Sequence, residues 1–284
     1  MKVLMIGAHQ DDNEFRCGGI AYKLVQKGHE VRFLSMTNGC GGHHILTPAE
    51  TTVTRAKESA AVAKLLGVTY DVWHDSNDCM LVADLETRRR LIRYIREFSP
   101  DVIIAHRNND YHADHRASGQ LVMDASYMLI VPHECPDAPA MRKTPIIMYN
   151  EDNFTDPDFH GDLVIDIDDA IETKLKMAHL NVSQVYEWLP YTNGQENEVP
   201  KNEKDRFEWL CGMDLKKWYS DEEVMSMRLS RGIRFARPAA RFRAKLIEEY
   251  GEERGSKVRF AEAFQVCEYG SAMTEELRKE FLSL

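Results

Sequence analysis

The sequence predicts an α/β protein: a Rossmann-like, mostly parallel sheet with helices on both faces, followed by a helical C-terminal extension. Short runs rich in Val, Ile and Leu predict strands at about 2–7, 30–36, 69–74, 101–106, 144–149 and 162–167. Helical patterns of ten or more residues separate several of these runs, as in βαβ units of a parallel sheet. At 284 residues the chain is long enough for one large domain and does not require two.

Helical patterns lie at about 17–27, 49–66, 84–98 and 113–130. The second begins with a capping box, in which Thr47 is the N-cap, Pro48 the first helical residue and Glu50 the third. From residue 168 the pattern is helical to about 188, and 190–202 is predicted as a polar linker. A late strand at 257–265 is a candidate to return to the sheet. We therefore divide the chain into an α/β part, 1–190, and an extension, 191–284, packed on the same domain.

Composition excludes several classes of protein. The net charge of −10 argues against binding to a nucleic-acid backbone or an anionic lipid surface. No apolar run approaches the roughly 18 residues of a membrane span, and the N-terminus does not resemble a signal peptide. The six cysteines form no Cys-x-x-Cys pair, which is typical of reduced thiols. The sequence thus predicts a soluble cytoplasmic protein without nucleic-acid or membrane partners.

Polar clusters follow two of the predicted strands. They are His9, Asp11 and Asp12 after the first strand, and His112, Asp114 and His115 in the loop after the fourth. The carboxyl ends of parallel strands share one edge of a sheet, and ligands bind at that edge. We therefore expect the two clusters to meet around one metal ion.

Each cluster also has an ordinary structural interpretation. His9 alone is compatible with a loop histidine, and Asp12 with the cap of a helix that starts near Glu14. His112 and His115 are three residues apart and share a face if they begin a helix. Both can then reach the same ion, or they simply cap that helix. The residues alone leave these alternatives open.

The paired motifs resemble those of the LmbE-like family. These are zinc-dependent de-N-acetylases related to the enzyme that deacetylates N-acetylglucosaminyl-phosphatidylinositol. The first motif stands here as Ala8-His9-Gln10-Asp11-Asp12-Asn13, where the family has Ala-His-Pro-Asp-Asp-Glu, and the second stands as His112-Ala113-Asp114-His115. The resemblance covers roughly residues 1–170 and includes Arg55 and Asp78. Beyond residue 190 it is confined to Ala261-Glu262-Ala263-Phe264.

The resemblance implies a zinc ion held by His9, Asp12 and His115, with the fourth position kept for water. Asp11 has no metal to bind and is suited to take a proton from that water. The family pattern leaves His112 for catalysis, as the donor to the oxyanion and then to the departing amine.

The remaining site residues have less defined roles. Asp114 either orients an imidazole or is a carboxylate favoured by the helix dipole. The resemblance implies that Arg55 and Asp78 hold hydroxyls of the sugar. Without the resemblance, Arg55 would be interpreted as a surface residue paired with Glu58.

Two departures from the family motif concern the first cluster. Gln10 replaces a proline, so the loop loses a fixed φ angle. Asn13 replaces a glutamate that supports the zinc ligands, and its amide carries no charge. Glu14 would need a backbone shift to substitute for that glutamate.

The resemblance therefore implies removal of the N-acetyl group from a soluble amino sugar or small glycoside. The glycine-rich loop 38–44 is expected to border the pocket, and the aromatic segment after residue 190 to set the preference for the aglycone. A metal-dependent phosphoesterase and a non-catalytic, zinc-stabilised sugar-binding protein are the alternatives. Homo-oligomerisation is left open.

Overall fold

Seven strands form a single sheet in the computed structural model, which describes all residues 1–284. The strands are β1 (Lys2–Gly7), β2 (Glu30–Ser35), β3 (Thr69–Val72), β4 (Val102–Ala105), β5 (Ile146–Asn150), β6 (Leu163–Asp166) and β7 (Ala261–Val266). Their order is β3-β2-β1-β4-β5-β7-β6. The first five strands run parallel to one another, whereas β7 is antiparallel to both β5 and β6. The predicted mostly parallel α/β fold is confirmed.

Twelve α-helices accompany the sheet. They are α1 (Asp12–Gln26), α2 (Pro48–Leu66), α3 (Leu85–Phe98), α4 (Ala113–Ser126), α5 (Ile171–Leu180), α6 (Leu189–Thr192), α7 (Glu203–Cys211), α8 (Asp221–Ser226), α9 (Arg231–Arg241), α10 (Arg243–Tyr250), α11 (Glu252–Gly255) and α12 (Glu275–Leu282). Short 3₁₀ turns lie at Tyr127–Ile130 and Glu196–Glu198, and a π-helix at Ser183–Trp188. The predicted polar linker at 190–202 therefore contains helical turns, and α1 begins five residues earlier than predicted.

The core lies on both faces of the sheet. Val3 and Met5 of β1 pack on one face with residues of α1, α2 and α5, whereas Leu4 and Ile6 pack on the other with residues of α3 and α4. A strand buried on both faces has apolar residues at consecutive positions, which explains the continuous run after Lys2. The helices on both faces leave the carboxyl-end edge of the sheet free for a site.

β7 ties the C-terminal segment to this sheet. It lies between β5 and β6, so residues beyond 190 supply an interior strand of the same sheet. Its buried Glu262 accepts hydrogen bonds from the amides of Gly19 (2.7 Å) and Ile20 (2.8 Å), just after α1 kinks at Cys17, and it also pairs with the buried Lys174. The resemblance at Ala261–Phe264 thus falls on a strand that positions α1.

Two further observations bear on the class of protein. No helix combines the length and the apolar character needed to cross a bilayer. All six cysteines are unpaired.

Candidate active site

The first cluster lies on the tight turn between β1 and α1. Asp11, the residue before α1, has φ 133° and ψ −25°, a conformation that costs a non-glycine residue of order 1–3 kcal/mol. Asp12 begins α1, and its Oδ2 accepts a hydrogen bond from the backbone amide of His9 at 2.8 Å. This strained turn brings His9 and both carboxylates to the wall of one cleft.

The two motifs meet because β1 and β4 are adjacent parallel strands. His9 Nδ1 lies 3.2 Å from His115 Nε2 and 3.6 Å from Asp12 Oδ2, and His115 Nε2 lies 3.3 Å from Asp12 Oδ1. The structure therefore brings together the three residues predicted to bind the metal. Their role as ligands stays a prediction.

Carboxylates behind the two imidazoles determine which ring nitrogens carry protons. His115 Nδ1 lies 3.0 Å from Asp110 Oδ1, while His9 Nε2 lies 3.0 Å from Asp78 Oδ1 and 3.2 Å from Asp114 Oδ2. When each neutral ring donates a hydrogen bond to its carboxylate, the other nitrogen is left with a lone pair. The two lone-pair nitrogens, 3.2 Å apart, then repel each other unless a cation lies between them.

This donor set fits a zinc ion. Ligands at about 2.0–2.1 Å in a tetrahedral arrangement are about 3.3 Å apart, close to the separations between the three side chains. Two imidazole nitrogens and one carboxylate oxygen also match the ligands of catalytic zinc sites. The residues present would therefore hold zinc or a similar divalent metal.

His106 is a further histidine at this site that sequence reasoning missed. Its Nε2 lies 3.1 Å from Asp12 Oδ2, and its ring stacks on that of His115 with centroids 4.2 Å apart. His106, Asp12 and His115 are also close enough together to hold a metal ion. The sequence does contain a signal for His106, because this residue directly follows β4, just as the first motif directly follows β1.

The electrostatics of the cluster favour positive charge. Burial alone would lower the pKa of His115, but the charge of Asp12 and the hydrogen bond to Asp110 raise it to about 9. Burial alone would raise the pKa of Asp12, but the charges of His115 and His106 hold it well below its usual range. Protons and a metal cation thus compete for the same acceptor atoms.

Asp11 is paired with a buried arginine. Its Oδ1 lies 3.1 Å from Arg55 Nη2, and burial raises the pKa of Asp11 to about 6 despite the opposing charge of Arg55. Arg55 is only 2% exposed and also lies 3.7 Å from Glu58. The pairing with Glu58 therefore occurs, but Arg55 is not a surface residue. Its guanidinium contacts the candidate base, and contact with a sugar hydroxyl stays a prediction.

His112 is the N-cap of α4, and its Nδ1 accepts a hydrogen bond from the amide of Asp114 at 3.1 Å. The proton of the neutral ring is therefore on Nε2. Burial, with the charges of His9 and His115, lowers the pKa of His112. At neutral pH this ring is an uncharged hydrogen-bond donor.

Asp114 and Asp78 lie behind His9. The Asp114 carboxylate is fully buried and accepts a hydrogen bond from the amide of Cys79 at 2.7 Å. Asp78 accepts one from the amide of Gly41 at 3.2 Å, and its hydrogen bond with His9 outweighs burial and lowers the pKa of its carboxyl. Both carboxylates therefore orient His9. Contact of Asp78 with a sugar hydroxyl stays a prediction.

The two departures from the family motif lie beside the cluster. Gln10 is fully buried against Gly39, which has φ +68° and where a Cβ atom would lie only 2.5 Å from Gln10 Oε1. Asn13 donates a hydrogen bond to the carbonyl of Leu34 at 3.2 Å. The amide at position 13 thus anchors α1 to β2.

Glu14 is buried in α1 and accepts a hydrogen bond from the Tyr70 hydroxyl at 3.2 Å. Burial, reinforced by the charge of Asp11, raises the pKa of Glu14 from 4.5 to about 8. The native state thus keeps a proton that the unfolded chain releases above pH 4.5. The free energy of unfolding therefore falls between these two pH values, by about 1.4 kcal/mol per pH unit at most.

Replacement of Glu14 with Gln, which resembles the neutral acid, should remove this loss. We expect Glu14→Gln to be more stable than the parent near pH 8 and to differ much less near pH 5. Urea unfolding at both pH values measures this change. The same stability difference at both would contradict the assignment of a buried, protonated Glu14.

The cluster opens into a cleft of about 570 Å³. Gly39, Gly41 and Gly42 line it, so the glycine-rich loop borders the cleft as expected. The segment after residue 190 also contributes a wall. That wall is richer in arginine than in aromatic residues, with Leu229, Arg231, Arg234, Phe235 and Arg237.

Comparison with known proteins agrees with this architecture. Residues 4–126 match the family model described as PIG-L, GlcNAc-PI de-N-acetylase. Residues 4–126 are thus similar to a PIG-L domain, and the predicted resemblance is confirmed. Over 207 residues the chain is 26% identical to a diacetylchitobiose deacetylase from Thermococcus kodakarensis, with 67% of this chain and 74% of that protein covered.

Two solved structures have the same fold. An N,N'-diacetylchitobiose deacetylase from Pyrococcus horikoshii is 24% identical, with a TM-score of 0.64 and coverage of 94% of this chain and 84% of that chain. A 4-carboxy-2-hydroxymuconate hydratase from Pseudomonas putida is 18% identical, with a TM-score of 0.64 and coverage of 96% and 98%. At these identities the likeness establishes the fold, and the fold is shared by proteins named for different reactions.

Proposed function

We propose that this protein is a metal-dependent N-deacetylase that removes the acetyl group from an N-acetylated amino sugar or a small glycoside of one. The observation that carries the proposal is the convergence of His9, Asp12 and His115, with the candidate base Asp11 next to them in the chain. The similarity to a PIG-L domain and the diacetylchitobiose deacetylase relative support the class of substrate. We propose zinc as the metal because the donor set fits it.

The chain's own residues supply the proton transfers. Asp11 takes a proton from a water molecule, whose oxygen forms a bond to the acetyl carbonyl carbon. His112 donates a hydrogen bond from Nε2 to the carbonyl oxygen as negative charge develops there. The carbon–nitrogen bond then breaks, and the proton held by Asp11 passes to the departing amine. Asp11 takes this role, which the family pattern implied for His112, because the lowered pKa of His112 makes it a poor source of an extra proton. A bound metal ion supplies Lewis-acid polarisation and lowers the pKa of water.

The carboxylates around the cluster argue against the phosphoesterase alternative. A two-metal site needs several further carboxylates to bridge and hold a second ion. Three are nearby, but Asp110 pairs with His115, and Asp78 and Asp114 pair with His9. The arrangement therefore supports one metal with oriented imidazoles. A cytoplasmic location and the absence of nucleic-acid and membrane partners stay predictions from composition.

A screen for acetate release tests the proposed function. Purified protein, with added zinc or with a chelator, is offered N-acetylglucosamine, diacetylchitobiose, N-acetylglucosaminides and sugar phosphates. We expect equal amounts of acetate and free amine, released only in the presence of the metal. Metal binding without any turnover would instead favour the sugar-binding protein, and release of phosphate would favour the phosphoesterase.

A further inference from the structure

The wall of the cleft formed by α9 is unusually cationic. Arg231, Arg234 and Arg237 line it from this helix, and Arg16 lines it from α1. The protein as a whole carries a net charge of −10, so this concentration of arginine is local. Besides Arg55, which is paired with Asp11, the cavity that contains the candidate metal centre is thus lined by these four arginines.

These arginines lack acidic partners. No carboxylate oxygen lies within 4.0 Å of any of them, in contrast to Arg243 near by, which pairs with Asp221 at 2.8 Å. Arg16 donates only to a backbone carbonyl, and Arg237 donates to two while its buried Nε has no partner. The side chains of Arg231 and Arg234 make no hydrogen bond.

The acidic residues that line the same cleft are already paired with other cations. Asp152 accepts two hydrogen bonds from Arg107, at 2.5 and 2.6 Å, and Glu151 pairs with Arg241 at 3.2 Å. Asp11 pairs with Arg55, as described above. The cleft thus offers the α9 arginines no carboxylate that is free of another cationic partner.

The environment of Arg231 disfavours its positive charge when no anion is bound. Its guanidinium lies 4.0 Å from the centre of the Phe15 ring, which holds it against α1. Burial, together with the positive charge of Arg234, lowers the pKa of Arg231 to about 9. Arg231 is half-buried and Arg234 is exposed. An anion bound between them would offset their repulsion and the partial burial of the Arg231 charge.

We propose that Arg231 and Arg234 form a subsite for an anionic group, a carboxylate or a phosphate, on the part of the substrate beyond the N-acetyl sugar. Guanidinium groups suit both anions because their planar forks donate two parallel hydrogen bonds. This inference rests on the proposed function, and it names the substrate class more narrowly as anionic N-acetylglucosaminides. Arg16 and Arg237 add positive charge around the subsite.

Matched substrates test the subsite. Three N-acetylglucosaminides share one linker that ends in a methyl, a carboxylate or a phosphate group, and kcat/KM is measured for each with the metal-loaded enzyme. We expect at least one anionic glycoside to exceed the methyl glycoside by about 10- to 100-fold, the range for one or two charge-assisted hydrogen bonds. The more favoured anion identifies which chemistry the subsite accepts.

The double variant Arg231→Gln, Arg234→Gln should bring the ratio of anionic to neutral kcat/KM close to one. Arg228→Gln is the matched control, because Arg228 lies three residues before α9 but pairs with Glu198 and is 67% exposed. It should leave the ratio unchanged. A ratio near one in the parent, or an equal ratio in the double variant, would overturn the proposal.

Calorimetric binding of the same three glycosides separates this proposal from the proposed function. If none of them releases acetate, the deacetylase assignment fails, but tighter binding of an anionic glycoside to the parent than to the double variant would still support the subsite. Equal binding of all three glycosides to the parent would overturn it.

Discussion

Replacement of Asp11 with Asn should lower kcat by about 10²–10⁴-fold, the range typical of losing a general base. The amide keeps the shape of the side chain but cannot take the proton from water. Asp11 is not among the three converging donors, so the variant should keep its metal. Steady-state rates and the metal content of the same preparation measure the two effects separately.

Asp75→Asn provides the matched control for this prediction. Asp75 undergoes the same chemical change, but its side chain is 73% exposed and pairs with Arg90 on the surface. We expect parent-like rates from this control. If Asp11→Asn loses its metal and excess zinc restores the rate, Asp11 is a ligand and the assignment as base is wrong.

Replacement of His115 with Ala should remove the metal and, with it, the activity. The imidazole supplies a lone-pair nitrogen fixed by Asp110, and its removal leaves only two of the three converging donors. The loss of affinity should exceed the roughly 10–100-fold typical of losing an outer partner of a ligand. Metal titration of the stripped protein, followed by colour indicator or calorimetry, gives this affinity.

Three further histidine variants test whether the loss of metal is specific to His115. His74→Ala alters an exposed histidine at the end of β3 and should bind metal like the parent. His106→Ala removes a ring that stacks on His115 and contacts Asp12, so we expect an intermediate, 10–100-fold loss. His112→Ala should retain the metal and lose rate. Full metal retention by His115→Ala would exclude it as a ligand.

The strands and the meeting of the two motifs could be predicted from the sequence, because they depend on local patterns and on one general rule of sheet topology. Apolar runs identified the strands because parallel strands are buried on both faces. The rule that carboxyl ends of parallel strands share an edge predicts that His9 and His115 lie near each other. β1 and β4 are indeed neighbours, which brings their loops into contact.

The features that escaped prediction depend on contacts between distant parts of the chain. Asp110 carries no local sign that its carboxylate fixes the tautomer of His115, since that requires the geometry of the loop before α4. The sequence around Arg55 was compatible with a surface position because its burial and its pairing with Asp11 depend on the fold. The cationic wall arises because β7 returns the C-terminal segment to the sheet and places α9 beside the cleft.

Titration of zinc into metal-stripped protein, with acetate release from N-acetylated sugars followed at each step, tests the central claim most directly. The arrangement of His9, Asp12 and His115 predicts that activity rises linearly with bound metal and reaches its maximum at one ion per chain. Acetate release by the stripped protein at the rate of the loaded protein would contradict a metal-dependent deacetylase, as would full loading of that site without any release.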